Sequence, residues 1–366
     1  MSGDLTTPDS ADLFQFPCKV CGAKLSFKPG AEKLLCEYCG NVEEIPRSRD
    51  AVVEHAFEAY MPDATNSGYG RELKRYACQQ CGAQTEVEPH ISSFSCAFCG
   101  SNQVLPQEQS TTLHKPESLL PFLVDQKQCL DAFRAWVKSL WFRPNALKAQ
   151  ARPEQLKGVY IPFWTYDSMT QSWWNGEAGY YYYESESYLE NGEWKTRRVR
   201  KIRWEWRDGT HAEFFDDVPV QGSPSVDASL VRAIEPFDTK QLVPYKPDYL
   251  SGLAAEDYRE DMIACWPRAK DRIDSAIYSA CKQKLGGDEQ RNLSVTTSYL
   301  NRTYKLCLLP IWIASYRYQE KPYTYIVNGQ TGKVAGKAPW SWLKITLFVV
   351  TIIAILAGIA MLAGRH

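Results

Sequence analysis

Hydrophobic and polar positions divide the 366-residue chain into three stretches. Up to residue 118, short apolar clusters alternate with Gly, Pro and polar runs; residues 119–338 carry longer patterned segments; a wholly apolar run comes last. In the middle stretch, Leu119–Val124 predicts a short strand. Leu130, Phe133, Trp136, Val137, Leu140 and Trp141 then recur at helical spacing. Val159–Tyr166 predicts a strand. Tyr180–Leu189 and Trp194–Arg207 flank Asn191-Gly192, a pair suited to a two-residue hairpin turn because both residues tolerate positive φ. Closing the hairpin there sets Glu186 opposite Arg197, Tyr182 opposite Lys201, Tyr180 opposite Arg203 and Tyr181 opposite Ile202.

Further helices are predicted at 226–235 and 255–285, the second ended by Gly286-Gly287. Strands are predicted at Val295–Tyr299, Leu306–Tyr318 and Pro322–Val327, then a turn over Asn328–Gly332 and a short strand to Gly336. This mixed order predicts an α+β domain over 119–338. The run Leu308-Leu309-Pro310-Ile311-Trp312 echoes Val159-Tyr160-Ile161-Pro162-Phe163-Trp164, which suggests two related halves.

From Ile345 to Gly364 no residue is charged. At 1.5 Å per residue this run spans about 30 Å, the hydrocarbon thickness of a bilayer. Because it is apolar on every face, it predicts a transmembrane helix over 343–364 rather than a core helix. Trp340, Trp342 and Lys344 precede it as interfacial residues would. Lys333, Lys337 and Lys344 on the near side, against Arg365 beyond, predict that the preceding bulk faces the cytoplasm. No secretory signal is seen at the start. The expectation is a tail-anchored, single-pass protein of the inner (cytoplasmic) membrane. Ala354 with Gly358, and Ala360 with Gly364, leave an oligomer through the span open.

Composition changes the picture in two ways. A mean hydropathy of −0.39 conceals the span. Twelve cysteines demand an explanation, and eight form two matching sets. Cys18, Cys21, Cys36 and Cys39 read C-x2-C-x14-C-x2-C, and Cys78, Cys81, Cys96 and Cys99 repeat the spacing. Two C-x2-C turns across a hairpin supply a closed tetrahedral thiolate set, the signature of structural zinc. Two tandem zinc ribbons are expected, at 14–45 and 76–105 with a linker over 46–75, holding two Zn2+ ions. Rubredoxin-type iron and a disulfide framework are the alternatives. Cys129, Cys265, Cys281 and Cys307 have no ligand spacing and are expected as buried thiols. His90 is expected in a solvated loop.

Charge limits what the ribbons do. Residues 1–105 hold nine Lys and Arg against 14 Asp and Glu, so this part opposes phosphate. The densest basic run lies on the predicted hairpin. Lys195, Arg197, Arg198, Lys201 and Arg203 are candidates for contact with an anionic surface, lipid or nucleic acid. The competing expectation is a solvated face neutralised by Glu184, Glu186 and Glu205 and stacked on tyrosines. No phosphate-loop, serine-elbow or H-E-x-x-H motif is present, Asp216-Asp217 is expected to be a solvated loop pair, and no enzyme activity is expected.

Three further segments carry a resemblance: G-V-Y-I-P-F-W-T-Y-D from Gly158 to Asp167, L-L-P-I-W from Leu308 to Trp312, and N-G-Q-T-G-K from Asn328 to Lys333. With the paired cysteine sets and the apolar C-terminal run, they resemble the YdjG-like bacterial membrane proteins over nearly the whole chain. Such proteins are often labelled primosomal or helicase-like, a label at odds with the missing phosphate loop. The resemblance implies a membrane scaffold working with flotillin-like SPFH-domain proteins and, through them, with a phage-shock A-like, ESCRT-III-related protein. It carries over no catalytic residues, only the eight cysteines. The alternative expectation is a membrane-tethered nucleic-acid-binding regulator that uses the ribbons and the basic hairpin.

Overall fold

The computed structural model describes residues 16–46, 52–60, 74–78, 84–87, 104–107, 114–150, 154–319 and 321–363. Strands β1 (Leu25–Lys28), β2 (Lys33–Cys36) and β3 (Val42–Glu44) form a small antiparallel sheet. Next come β4 (His55–Ala56), β5 (Lys74–Cys78), β6 (Gln84–Val87), β7 (Val104–Gln107) and β8 (Ser118–Leu119). Helix α1 (Gln126–Ser139) starts in a capping box: Asp125 accepts from Gln128 N at 2.7 Å, and Gln128 Oε1 accepts from Asp125 N at 2.9 Å. After α2 (Asn145–Gln150) come two very long strands, β9 (Glu154–Glu190) and β10 (Glu193–Gln221). Then follow α3 (Ala228–Ile234), β11 (Val243–Pro244), β12 (Ala254–Glu256), α4 (Met262–Leu285), β13 (Glu289–Tyr318), β14 (Lys321–Asn328), β15 (Val334–Gly336) and α5 (Trp342–Ala363).

The architecture is α+β, built on β9. From Glu154 to Gly179 it is lined by β13 on one side; on the other, β12 meets Val159-Tyr160 and β10 runs from Phe163 to Glu190. The β9–β10 hairpin closes at Asn191-Gly192, with φ of 55° and 85°, in the predicted register. Three expectations change. The separate strands at Val159–Tyr166 and Tyr180–Leu189 are one strand, and so are Val295–Tyr299 and Leu306–Tyr318. The helix expected from residue 255 begins at Met262, because Ala254–Glu256 pairs as a strand and Asp261 caps the helix through Ala264 N at 2.8 Å. Asp217 lies not in a loop but buried at a bulge inside β10.

The two echoing runs lie side by side, and Ile161 pairs with Leu309. Around that pair the surroundings repeat. Pro162 faces Leu308, and Pro310 faces Tyr160. Ala254-Ala255 runs parallel to Val159-Tyr160, as Ser118-Leu119 does to Cys307-Leu308. Trp164 Nε1 donates to Glu260 O, the residue before the α4 cap, at 2.9 Å; Trp312 Nε1 donates to Val124 O, before the α1 cap, also at 2.9 Å. Gly222 N donates to Pro162 O, and Gly329 N to Pro310 O, each at 2.9 Å. A pseudo-two-fold axis through Ile161 and Leu309 thus relates β8–α1–β9 to β12–α4–β13.

Burial follows the halves. Phe133 and Val137 of α1 pack with Phe122, Tyr316 and Tyr325, while Ile273, Ile277, Cys281 and Leu285 of α4 cover Trp174 and Ala178. Each large apolar side chain fully buried in this way stabilises by roughly 1.5–3 kcal/mol. The close approach at the second half of the axis requires glycine. A Cβ at Gly329 would lie 2.7 Å from Phe122 and 2.8 Å from Pro310. Gly329→Ala is therefore expected to lower stability by about 1–3 kcal/mol in thermal melts of the detergent-solubilised chain. Gly358→Ala, with nothing within 4 Å, should leave the midpoint unchanged.

Candidate metal centre

Two short turns build the first cysteine cluster. Gly22 and Gly40 sit at φ of 74° and 75°, where a side chain would be strained. Each turn repeats the same backbone bonds: Gly22 N to Cys18 O and Gly40 N to Cys36 O, at 2.8 and 2.9 Å; Cys18 N to Ala23 O and Cys36 N to Asn41 O, at 2.7 and 2.8 Å. The turns face each other, so Cys18 Sγ lies 3.6 Å from Cys39 Sγ, and Cys21 Sγ 3.5 Å from Cys36 Sγ. All four sulfurs lie within 4.8 Å of one another. Tetrahedral zinc with Zn–S near 2.3 Å would set sulfur edges of about 3.8 Å, so the cluster is close to the size such an ion requires.

The electrostatics agree with a cation at the centre. Burial raises the Cys18 thiol, but hydrogen bonds from the backbone N–H groups of Cys21 and Val20 and from Asn41 bring it down to about 6. The Cys39 N–H lowers Cys36. Cys39 accepts from the Asn41 N–H, yet its three sulfur neighbours push it up to about 12, and Cys21 is also raised. Four thiols this close cannot all ionise unaided, and a divalent ion would supply the missing charge. With four thiolates the sphere is closed, so the ion would hold structure and leave no position for a substrate.

Of the second set, Cys78 ends β5, while Cys81, Cys96 and Cys99 lie outside the described residues, as does His90. One pairing recurs at the matching place beside both cysteine sets: Pro17 bridges Lys24, and Ala77 pairs with Gln84. Strand β6 also pairs with β12, which attaches β5–β7 to the main sheet. The first module is clamped to the α+β domain by Phe27 N to Ser251 O at 2.9 Å, Ser251 Oγ to Leu25 O at 2.7 Å, and Gly30 N to Phe122 O at 2.9 Å.

The basic candidates lie on the β9–β10 hairpin, each against a nearby partner. Lys195 meets Glu190 at 2.7 Å, and Arg197 meets Glu186 at 3.5 Å. Lys201 meets Glu184 at 2.5 Å and Glu186 at 3.1 Å, and Arg203 meets Glu205 at 2.8 Å. Arg198 lies over Tyr183, and Arg197 over Tyr188. Such exposed pairs contribute only about 0–1 kcal/mol each; they offset the positive charge without removing it from water. Cys129, Cys265, Cys281 and Cys307 are buried free thiols.

The Asn328–Lys333 turn has a structural task. Asn328 Oδ1 accepts from Gln330 N and Thr331 N at 2.8 and 3.0 Å, and Asn328 Nδ2 donates to Ile234 O at 3.0 Å. Gln330 Oε1 accepts from Asp238 N at 2.8 Å, and the carbonyl of Gly329 takes the N–H groups of Leu123 and Val124. The turn therefore ties the segment after α3 to the start of α1.

Sequence reasoning missed a buried charge cluster. Strands β10 and β13 both bulge beside Asp167, the last residue of the G-V-Y-I-P-F-W-T-Y-D run. Lys305 Nζ, 6% exposed, lies 2.7 Å from Asp217 and 3.0 Å from Glu54. Asp167 accepts from Asp217 N and Thr303 Oγ1, each at 2.6 Å. Burial pushes Asp167 up to about 6 against those hydrogen bonds. The one signal in sequence was Lys305 beside a continuous apolar run. The cluster adds to the backbone pairing of β4 with β13, with Glu54 reaching Lys305 and Thr303.

A protein of Bacillus subtilis (strain 168), named as the uncharacterized protein YdjG, is 28% identical to this chain over 342 residues, 90% of this chain and 91% of that protein. No family model and no solved structure matches the chain.

Two outcomes test these sites. Cys36→Ser should lower the metal content by about one ion per chain by elemental analysis and unfold the first module; an unchanged content would contradict the four-thiolate site. Asp167 favours its protonated form in the fold, so its contribution is present at low pH and is lost as pH rises from 3.8 through about 6. Asp167→Asn should accordingly gain stability relative to the parent as melts are moved from acidic to neutral pH.

Proposed function

We propose that the protein is a membrane-anchored scaffold whose metal-stapled modules and α+β domain hold partner proteins at the bilayer. The observation that carries this reading is α5. Its most apolar window, Trp342–Ala360, has a mean hydropathy of 2.5, and none of it is buried within the protein. A core helix would be covered, whereas an apolar helix clear of the fold has its natural solvent in hydrocarbon. The closed thiolate set supports a structural role for the metal, and the unpaired state of the described cysteines suits a reducing compartment. With the lysine bias before α5, this supports a reading in which the bulk faces the cytoplasm at the inner membrane. Flotillin-like SPFH-domain proteins, and through them a phage-shock A-like protein, are the proposed partners. Family resemblance supplies that choice.

Crosslinking in intact membranes followed by pulldown tests the partner choice. Recovery of an SPFH-domain protein with the full-length chain is expected, and its absence with and without envelope stress would contradict the proposal. Gel shift with the detergent-solubilised chain addresses the nucleic-acid alternative. No retardation is expected at moderate salt; retardation lost on Lys201→Ala with Arg203→Ala would favour that alternative instead.

A further inference from the structure

Trp141, just before α2, shares the helical spacing of the apolar side of α1, which would direct it inward. Yet it is 73% exposed. It lies instead at the foot of α5. Lys344 Nζ donates to Trp141 O at 3.0 Å and to Asn145 Oδ1 at 2.7 Å, and Ser341 N donates to Phe142 O at 2.9 Å. The Arg143 guanidinium stacks on Trp340 at 3.6 Å from the ring centre. The Phe142 ring lies 5.2 Å from that of Phe348, edge to face.

The last contact fixes a depth. Phe348 lies three residues into the uncharged run that starts at Ile345, so about 4–5 Å along the helix axis. A side chain packed beside Phe348 is at that depth too. Around it, Trp141, Trp340 and Trp342 are 73%, 60% and 78% exposed, and Leu343 is 82% exposed. Lys344, about 6 Å nearer the fold along α5 than Phe348, and Arg143 have hydrogen-bonding or ring partners there. Aromatic rings with a polar edge, flanked by long cationic side chains, match the boundary between headgroups and acyl chains.

We propose that the α1–α2 corner, through Trp141, Phe142 and Arg143, is a second membrane contact that enters the headgroup–acyl boundary beside α5. The inference rests on the reading of α5 as a membrane span. Two attachment points on one domain fix its tilt, which a single helix on a free linker would not. The first cysteine module meets the domain at the opposite end of α1. Gly30 N meets Phe122 O just before α1, and the 14 residues of that helix carry the chain about 21 Å to the corner.

Photocrosslinking of the full-length chain in phosphatidylcholine–phosphatidylglycerol vesicles tests this. A benzoylphenylalanine is placed in turn at Leu356 in the span, at Trp141, and at Tyr38 in the first module, all exposed positions. Lipid adducts are expected at 356 and at 141, and none above background at 38. Adducts at 356 without adducts at 141 would overturn the corner contact and leave the span intact. No adduct at 356 would overturn the span and the inference with it. Equal adducts at 141 and 38 would also overturn the inference, because exposure alone would then set the yield.

Discussion

Ile161 and Leu309 face each other near the inner ends of two strands that neither half of the chain could stabilise alone. A long strand exposes two rows of backbone donors and acceptors, and those groups must find partners. Each strand provides them for the other, and each tryptophan that follows, Trp164 and Trp312, reaches across to lock the start of the opposite half's helix. The helices, the short parallel strands β8 and β12, and the glycine turns at Gly222 and Gly329 all take their places from this pairing. Loss of the central register would therefore uncouple both halves together, because a one-residue slip turns every side chain to the other face.

The metal module depends on this frame more than the frame depends on it. Small cysteine modules bury too little apolar surface to fold without an ion. Here the first one also leans on Ser251, Phe122 and Tyr249, and so its position relative to the domain is set by backbone bonds and ring packing. At the other end of α1, the corner at Trp141 meets α5. One helix thus links the module whose four cysteines could hold a metal ion to the long apolar helix α5.

The hairpin at Asn191-Gly192, the end of α4 at Gly286 and the first cysteine cluster were legible in sequence because each is set by local chemistry, whereas the Asp261 cap that starts α4 was not. The continuity of β9 and β13 was not. Between Tyr166 and Tyr180, the inward residues Ser168, Thr170 and Ser172 are buried but polar, so the alternation that marks a half-buried strand is erased. Ser172 is satisfied by Thr297 across the pair at 2.8 Å, and Thr170 by Glu213 O at 2.8 Å, interactions no local pattern announces. The cluster at Asp167 escaped for a related reason: Glu54, Asp217 and Lys305 come from distant segments and are joined only by the bulges. Trp141 had the spacing of a core residue, and only the position of α5 shows otherwise.

The central claim is that the ion staples a module onto a frame that stands without it. Hydrogen exchange on the full-length chain in lipid nanodiscs, before and after chelation, tests this most directly. The account predicts faster exchange across 16–46 and at Ser251 and its neighbours, with the paired core of β9 and β13 around Ile161 and Leu309 still protected. Equal loss of protection in that core, or no change in the module, would contradict it.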